Sequence, residues 1–432
     1  MKLPGATMTH ENILERRMSH AAAQQPSIAI VGGGAAGLVA AITAAQKGSD
    51  VTIFEQNDRV GKKILASGNG RCNITNAHLD VSDYFGADPA FAAFALNEFG
   101  FARFKKFCAA MGLLIQVKED GRCYPLSNSA VSVVTALQEF ARNCGVAFVC
   151  DTPIERIEKA EGTFRLHCGE KRFEGYTRLL IATGSEAAPQ LGANPSGYAF
   201  AEAFGHTLNP TYPSLVALEL ESPLPAKMAG VKQDAEVTLY LDGKAEQKVQ
   251  GDILFTRYGI SGFAILDVSQ MASEALTYYR NVKIGLKLLP GFERQSLAEQ
   301  IAQLCKSVPS YSAETLLCGL LPLKIVRCVL AACTIDPQTK ASELTTKTIK
   351  QLANTLCDWR FEVSGTHGFK HAEVSGGGVA TEEIDDKTMA SKKVEGLYFA
   401  GELLDIVGRR GGYNLHFAWA SGYLAGSNMP KA

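Results

Sequence analysis

Apolar runs ending in small residues recur along the chain, and they set its frame. SIAIV (27–31) is a short β-branched run closed by glycine, the pattern of a parallel strand buried on both faces. LVAAITAAQKG follows with helical length and stops at Gly48. DVTIFEQ (50–56) predicts a second strand, and RLLIATG (178–184) and GLYFAGELLD (396–405) predict two more, each ending in small residues. GGYNLHFAWASGYLAG (411–426) reads as a helix apolar on nearly every side, hence buried. In between, residues 213–290 hold short alternating runs such as EVTLYLDG and NVKIGLKLL, separated by turn signals. Residues 291–362 switch to helical spacing in RQSLAEQIAQLCKSV, AETLLCGLLPLKIVRCVLAAC and TTKTIKQLANTLC. The middle of the chain therefore reads as an insertion into an α/β sheet whose first and last strands lie at opposite ends of the sequence.

The first strand–turn–helix carries a phosphate cradle. Gly32 permits a tight turn, Gly34 lets the backbone approach a pyrophosphate, and Gly37 allows the helix to pack closely on the strand. With Ala35 and Ala36 they open a helix whose free N–H groups and positive dipole end suit phosphates. Glu55, followed by Gln56, closes the second strand about twenty residues on, where an acid accepts hydrogen bonds from ribose hydroxyls and repels a 2′-phosphate. This unit alone fits FAD or NAD, since both present an ADP half.

Three later segments favour the flavin. Ala182-Thr183-Gly184 ends a strand without side-chain bulk, so the chain can pass close to a dinucleotide. Gly401-Glu402 closes another strand, where an acid can bind ribityl hydroxyls. Gly411-Gly412-Tyr413-Asn414 starts the apolar helix, and a buried helix N-terminus can receive the negative charge of a reduced flavin.

Composition narrows the classes. The 432 residues allow two or three domains, and 46% hydrophobic with 20% charged residues is ordinary globular usage. A net charge of −1 supplies no polycationic surface, which argues against a nucleic-acid partner. No apolar stretch reaches the ~18 residues of a membrane span. Residues 1–26 lack the apolar core of a signal peptide and read as a disordered extension with a short helix near Glu11–Met18. Eleven scattered cysteines form neither CxxC nor zinc-ligand spacing, so no metal is expected, and a reducing cytoplasm is the expected location. Oligomeric state is not legible.

The stretch GKKILASGNGRCNITN (61–76) resembles the signature of bacterial FAD-binding proteins of the aminoacetone oxidase family, also called BaiN-like NAD(P)/FAD-dependent oxidoreductases. GRCYPLSNSAVSVVTAL, IATGSEAAPQLG, GYAFAEAFGH, LFTRYGISG, VSGGGV and the segment 396–426 match in the same order, so the resemblance spans about residues 27–428. Three departures stand out: Arg257 takes a usual His position, Phe263 a usual Pro position, and GANPSGY follows Leu191 where acidic or small residues are usual; they bear on the substrate, not the cofactor. The resemblance implies an α/β chain with a Rossmann-type FAD-binding domain (27–212 and 363–432). It implies an insert made of a small β-barrel (213–290) and a helical piece (291–362).

Within the signature, Lys63, Ser67, Gly68, Arg71, Cys72 and Asn73 join the expected cofactor-binding set, with Asn76 nearby. Arg71 is a permanent cation with a rigid donor fork, and Asn73 offers both donor and acceptor. Cys72 has no second cysteine close in sequence and reads as a packed thiol rather than a redox partner. His416 and Tyr413 could donate protons or simply satisfy buried hydrogen bonds, and no catalytic acid is assigned. SGGGVAT (375–381) has Thr381 where a third glycine would be, so any NADH or NADPH would dock transiently rather than in its own domain. The expected activity is FAD-dependent hydride transfer at N5, to or from a small molecule held between the FAD domain and the insert. The rival readings are a flavin scaffold or redox sensor without turnover, a flavin-dependent RNA-modifying enzyme, and an NAD-only dehydrogenase.

Overall fold

A computed structural model of the chain describes residues 26–430. The expected N-terminal extension therefore lies outside the described residues, apart from Pro26. Two compact units are present: residues 26–211 with 374–430, and residues 212–373.

The first unit is built on five parallel strands, β1 (Ser27–Val31), β2 (Asp50–Phe54), β3 (Ala147–Val149), β4 (Arg178–Ile181) and β5 (Leu397–Phe399). Their order in the sheet is β5-β4-β1-β2-β3, so the last of these five strands in sequence lies two places from the first. Register is continuous across the centre: Ile30 lies opposite Leu180 on one side and Ile53 on the other. These strands are almost wholly buried. Continuous apolar runs, rather than alternating ones, are what a sheet covered on both faces requires.

Helix α1 (Ala35–Gln46) follows β1, and helix α2 (Tyr413–Asn428) ends the described chain. Both are apolar on almost every side and most of their residues are buried. They cross at backbone distance. A Cβ on Gly422 would stand 2.3 Å from the Ala36 carbonyl oxygen, and one on Gly426 would stand 2.4 Å from that of Ala40. Replacing a helical glycine by alanine gains at most about 1 kcal/mol in propensity. Forcing a methyl into such a gap costs about 1–3 kcal/mol, because two backbones must part. Close approach therefore outweighs propensity, and glycine stays in the helix.

The second unit is a closed antiparallel barrel with helices sharing its core. Strand Lys232–Leu241 shows the expected period of two, with Ala235, Val237, Leu239 and Leu241 buried. Three features differ from the sequence expectation. The sixth barrel strand, Trp359–Thr366, follows the helices rather than preceding them, so barrel and helical piece are one body and the breaks expected at 290 and 362 are not seen. Helix Phe263–Thr277 lies inside the stretch expected to be strands; Ala264, Ile265, Val268, Ala272 and Ala275 give it a helical buried stripe. The long helical stretch after Ser312 breaks at Pro322 into Ala313–Cys318 and Leu323–Ala332, because proline cannot continue the ladder.

Candidate functional site

The carboxyl ends of β1, β2, β4 and β5 carry Gly32, Glu55, Ala182 and Gly401, and the crevice opens there. Each glycine of the first turn has a distinct environment. Gly32 has φ +107°, and a Cβ on it would stand 2.4 Å from the Ala182 carbonyl oxygen. A Cβ on Gly37 would stand 2.0 Å from the Gly32 carbonyl oxygen, so helix and turn touch there. Around Gly34 nothing lies within 4 Å of the added carbon. That room is where a pyrophosphate would reach the amides that open α1.

Gly34 faces a solvent-open crevice whose wall also includes Glu55, Gln56, Lys63 and Ala182–Gly184. The Glu55 carboxylate is buried and already engaged: Oε2 accepts from Gly33 N–H at 2.8 Å, and Oε1 accepts from the Asn57 backbone and side-chain amides at 2.9 and 2.7 Å. Three of its roughly four acceptor directions are used, which leaves one for a ribose hydroxyl. Gln56 donates to the Gly192 carbonyl and accepts from Asn194 Nδ2 at 2.7 Å, so the 189–196 loop is clasped over this end of the crevice. Thr152, Ile154, Leu191 and Ser196 also line it. Sequence reasoning missed these. They come from the segments after β3 and β4, with no spacing to mark them.

The C-terminal elements meet this site from the far end of the sequence. Lys63 Nζ lies 2.6 Å from Glu402 Oε2, while Glu402 Oε1 accepts from Ser185 Oγ at 2.7 Å and from Ser375 N–H at 2.9 Å. Glu402 thus ties four segments together rather than standing bare for ribityl hydroxyls. Asn414 is likewise committed: its Oδ1 accepts from Gly408 N–H and its Nδ2 donates to the Gly408 carbonyl, both at 2.7 Å. Gly412 (φ +101°) packs so tightly on the 73–76 segment that a Cβ would stand 2.5 Å from Thr75. Asn76 Nδ2 donates to the Gly411 carbonyl at 3.1 Å.

The GNGRCN loop is tightly wound, with φ positive at Gly68, Asn69, Gly70 and Cys72. Ser67 caps it by donating to the Ile64 carbonyl at 2.7 Å. Arg71 is exposed beside the Tyr124 ring and forms no ion pair among the described residues. Asn73 Oδ1 is buried and has no hydrogen-bond partner among the described residues; it lies 3.0 Å from where a Gly412 Cβ would be. Cys72 is fully buried, and burial pushes its thiol up to about 11, so it is an inert packed thiol. His416 is also fully buried, with Nδ1 2.7 Å from Thr75 Oγ1, and burial lowers it to about 4. It is a neutral structural histidine at physiological pH. Burial raises the half-buried Tyr413 hydroxyl.

A flavin dinucleotide fits this arrangement. The open space at Gly34 suits its diphosphate, and the crevice beside Glu55 suits its ribose. The orphaned Asn73 acceptor suits a donor near the Gly411–Tyr413 turn. Sheet, cradle and inserted barrel together define a Rossmann-type FAD-dependent oxidoreductase. The chain belongs to the HI0933-like protein Rossmann domain family, whose model matches residues 26–428. The 3-dehydro-bile acid delta(4,6)-reductase of Clostridium scindens is 37% identical to it over 401 residues, covering 92% of this chain and 98% of the relative. The ribosomal RNA dihydrouridine synthases of Haemophilus influenzae and Escherichia coli are 33% and 32% identical, each over 93% of this chain and 98% of their own length. Among solved structures, 3-ketosteroid delta1-dehydrogenase from Sterolibacterium denitrificans shares the fold at a TM-score of 0.50 and 12% identity, covering 93% of this chain and 99% of that one.

Two outcomes check the site. Gly34→Val should yield folded protein that loses most of its flavin on gel filtration, whereas Gly37→Val should fail to accumulate as folded protein, because its side chain meets the Gly32 carbonyl; flavin absorbance per folded protein separates the two. Full flavin in Gly34→Val contradicts the cradle. Second, the unfolded chain protonates His416 near 6.5 while the folded protein resists until about 4. The unfolded state therefore binds more protons across that window. The stability conferred is complete above 6.5 and is lost as pH falls through 4, by about 3 kcal/mol. Urea unfolding at fixed FAD should show a shallower pH slope in His416→Gln, and an unchanged slope contradicts the assignment.

Proposed function

We propose that this protein is a reductase that saturates a carbon–carbon double bond conjugated to a carbonyl in a small molecule, drawing electrons from NADH or NADPH. Bound FAD would supply hydride at N5. The chain's own groups hold and orient it: the α1 amides at the diphosphate, Glu55 at the ribose, and the Gly411–Tyr413 turn with Asn73 and the α2 dipole at the ring. The observation that carries this reading is the meeting of the Gly34 crevice with the Lys63–Glu402 pair, since it brings both halves of a dinucleotide site into one unit. The bile-acid reductase relative supports the direction of transfer and the class of acceptor.

The RNA reading is the second candidate, and the two dihydrouridine synthase relatives favour it. Their named product is also a saturated double bond, so the chemistry is shared and only the substrate differs. The net charge of −1 weighs against a polyanion.

Purified protein should be yellow and should bleach anaerobically with NADH or NADPH. Stopped-flow reoxidation by a 3-oxo-4,6-diene steroid should then be faster than by an unmodified rRNA fragment. A yellow protein that no nicotinamide bleaches contradicts the reductase direction. Reoxidation by RNA alone replaces the small-molecule reading with the second.

A further inference from the structure

Residues 188–195 border the Gly34 crevice, yet they are thinly held. Leu191, Gly192 and Ala193 line its wall, as does Ser196 just beyond. The chain is anchored on either side of this loop. Ala187 and Ala188 are buried, and Gly197 packs so closely that a Cβ on it would stand 1.9 Å from Thr183 Oγ1. Between these anchors no residue from 189 to 196 is buried. Most of the loop's hydrogen bonds are local. Leu191 N–H donates to the Ala188 carbonyl and Gly192 N–H to that of Pro189, both at 2.9 Å, and Ser196 N–H donates to Asn194 Oδ1 at 2.9 Å. Apart from the helix they open into, residues 189–195 are hydrogen-bonded to the body of the protein through one side chain among the described residues, Gln56. Its Nε2 donates to the Gly192 carbonyl, and its Oε1 accepts from Asn194 Nδ2 at 2.7 Å. Both bonds are exposed, as is Gln56 itself.

The backbone of the loop turns at two left-handed residues, Ala188 (φ +64°) and Gly192 (φ +92°). That conformation is uncommon for a residue with a side chain and persists at Ala188 because the buried base of the loop enforces it. Gly192 lets the loop come down flush on the protein, since a Cβ there would stand 2.6 Å from Asn57 Oδ1. A few residues at the ends of such a loop can absorb the rotation that opens it. Little buried surface and exposed hydrogen bonds place the segment at the low end of local stability. Both polar ends of the Gln56 side chain are spent on the loop, so this clasp needs no group from a ligand. Glu55, which keeps one acceptor direction for a ribose, lines the same crevice as the loop.

We propose that residues 188–195 are a strap across the adenosine end of the crevice, latched by Gln56, which opens to admit or release FAD. The strap rests on the flavin reading and deepens it by adding control of cofactor exchange. Gln56 is then a positioning residue for the strap rather than a ligand of the cofactor. The consequence is kinetic. The latch joins protein to protein whether the crevice is filled or not, so it contributes equally to both states and does not shift the binding equilibrium. It slows entry and exit alike. A side chain that touched FAD directly would slow exit and leave entry unchanged.

The experiment compares FAD exchange and loop opening in the wild-type protein and Gln56→Ala. Replacement of bound FAD by isotopically labelled FAD, followed by mass spectrometry, gives the release rate. Recombination of flavin-stripped protein with FAD, followed by flavin fluorescence, gives the entry rate. Losing both exposed hydrogen bonds should raise each rate about tenfold and leave the dissociation constant within about twofold. Hydrogen exchange at residues 189–196 should quicken in the variant while β1 and β2 stay protected. Asn194→Ala, which removes one of the two bonds to Gln56, should fall between wild type and Gln56→Ala. Faster release with unchanged entry would make Gln56 a direct ligand of FAD and overturn the strap, and so would unchanged rates. A colourless protein that takes up no FAD would overturn the flavin reading instead. Hydrogen exchange at 189–196 that is the same in Gln56→Ala would overturn the strap whether or not flavin binds.

Discussion

The contact on which the rest depends is backbone against backbone: α2 lying on α1 through Gly422 and Gly426. It fixes where the end of the chain sits relative to the phosphate cradle. β5 joins the sheet beside β4, which pairs directly with β1, so strand pairing and helix packing enforce the same placement. Any side chain at Gly422 would lift α2 away and carry the Gly411–Tyr413 turn with it. The 212–373 unit can interrupt the sequence because this closure does not run through it.

Polar groups near the crevice spend most of their capacity on the protein. Glu55 holds the Gly33 and Asn57 amides, and Glu402 holds Lys63, Ser185 and Ser375. A buried carboxylate left unpaired is costly, so these acids are satisfied within the fold. Their work is to set the backbone that faces a cofactor. Asn73 Oδ1 and Arg71 differ, because neither has its natural partner inside the protein.

What the sequence revealed follows the range of each interaction. The cradle was legible because Gly32, Gly34, Gly37 and Glu55 act within one strand–turn–helix–strand unit, and local geometry demands their spacing. The strands at 178 and 397 were legible as continuous apolar runs, though not their order. The partnership of Lys63 with Glu402 was invisible, since it joins residues 339 apart and no local pattern encodes it. Thr152, Ile154 and Asn194 lie on irregular segments without periodicity. Helix Phe263–Thr277 was hidden among strand signals, although its buried residues recur with helical spacing. The sixth barrel strand was misplaced because chain order does not fix strand order in a closed barrel.

The central claim is that both ends of the chain enclose one flavin dinucleotide. A crystal structure of the FAD-loaded protein tests it most directly. The account predicts the diphosphate at the Gly34–Ala35 amides and the isoalloxazine ring within hydrogen-bonding distance of the Gly411–Tyr413 turn or Asn73 Oδ1. A flavin ring lodged elsewhere, with that turn empty, would contradict it.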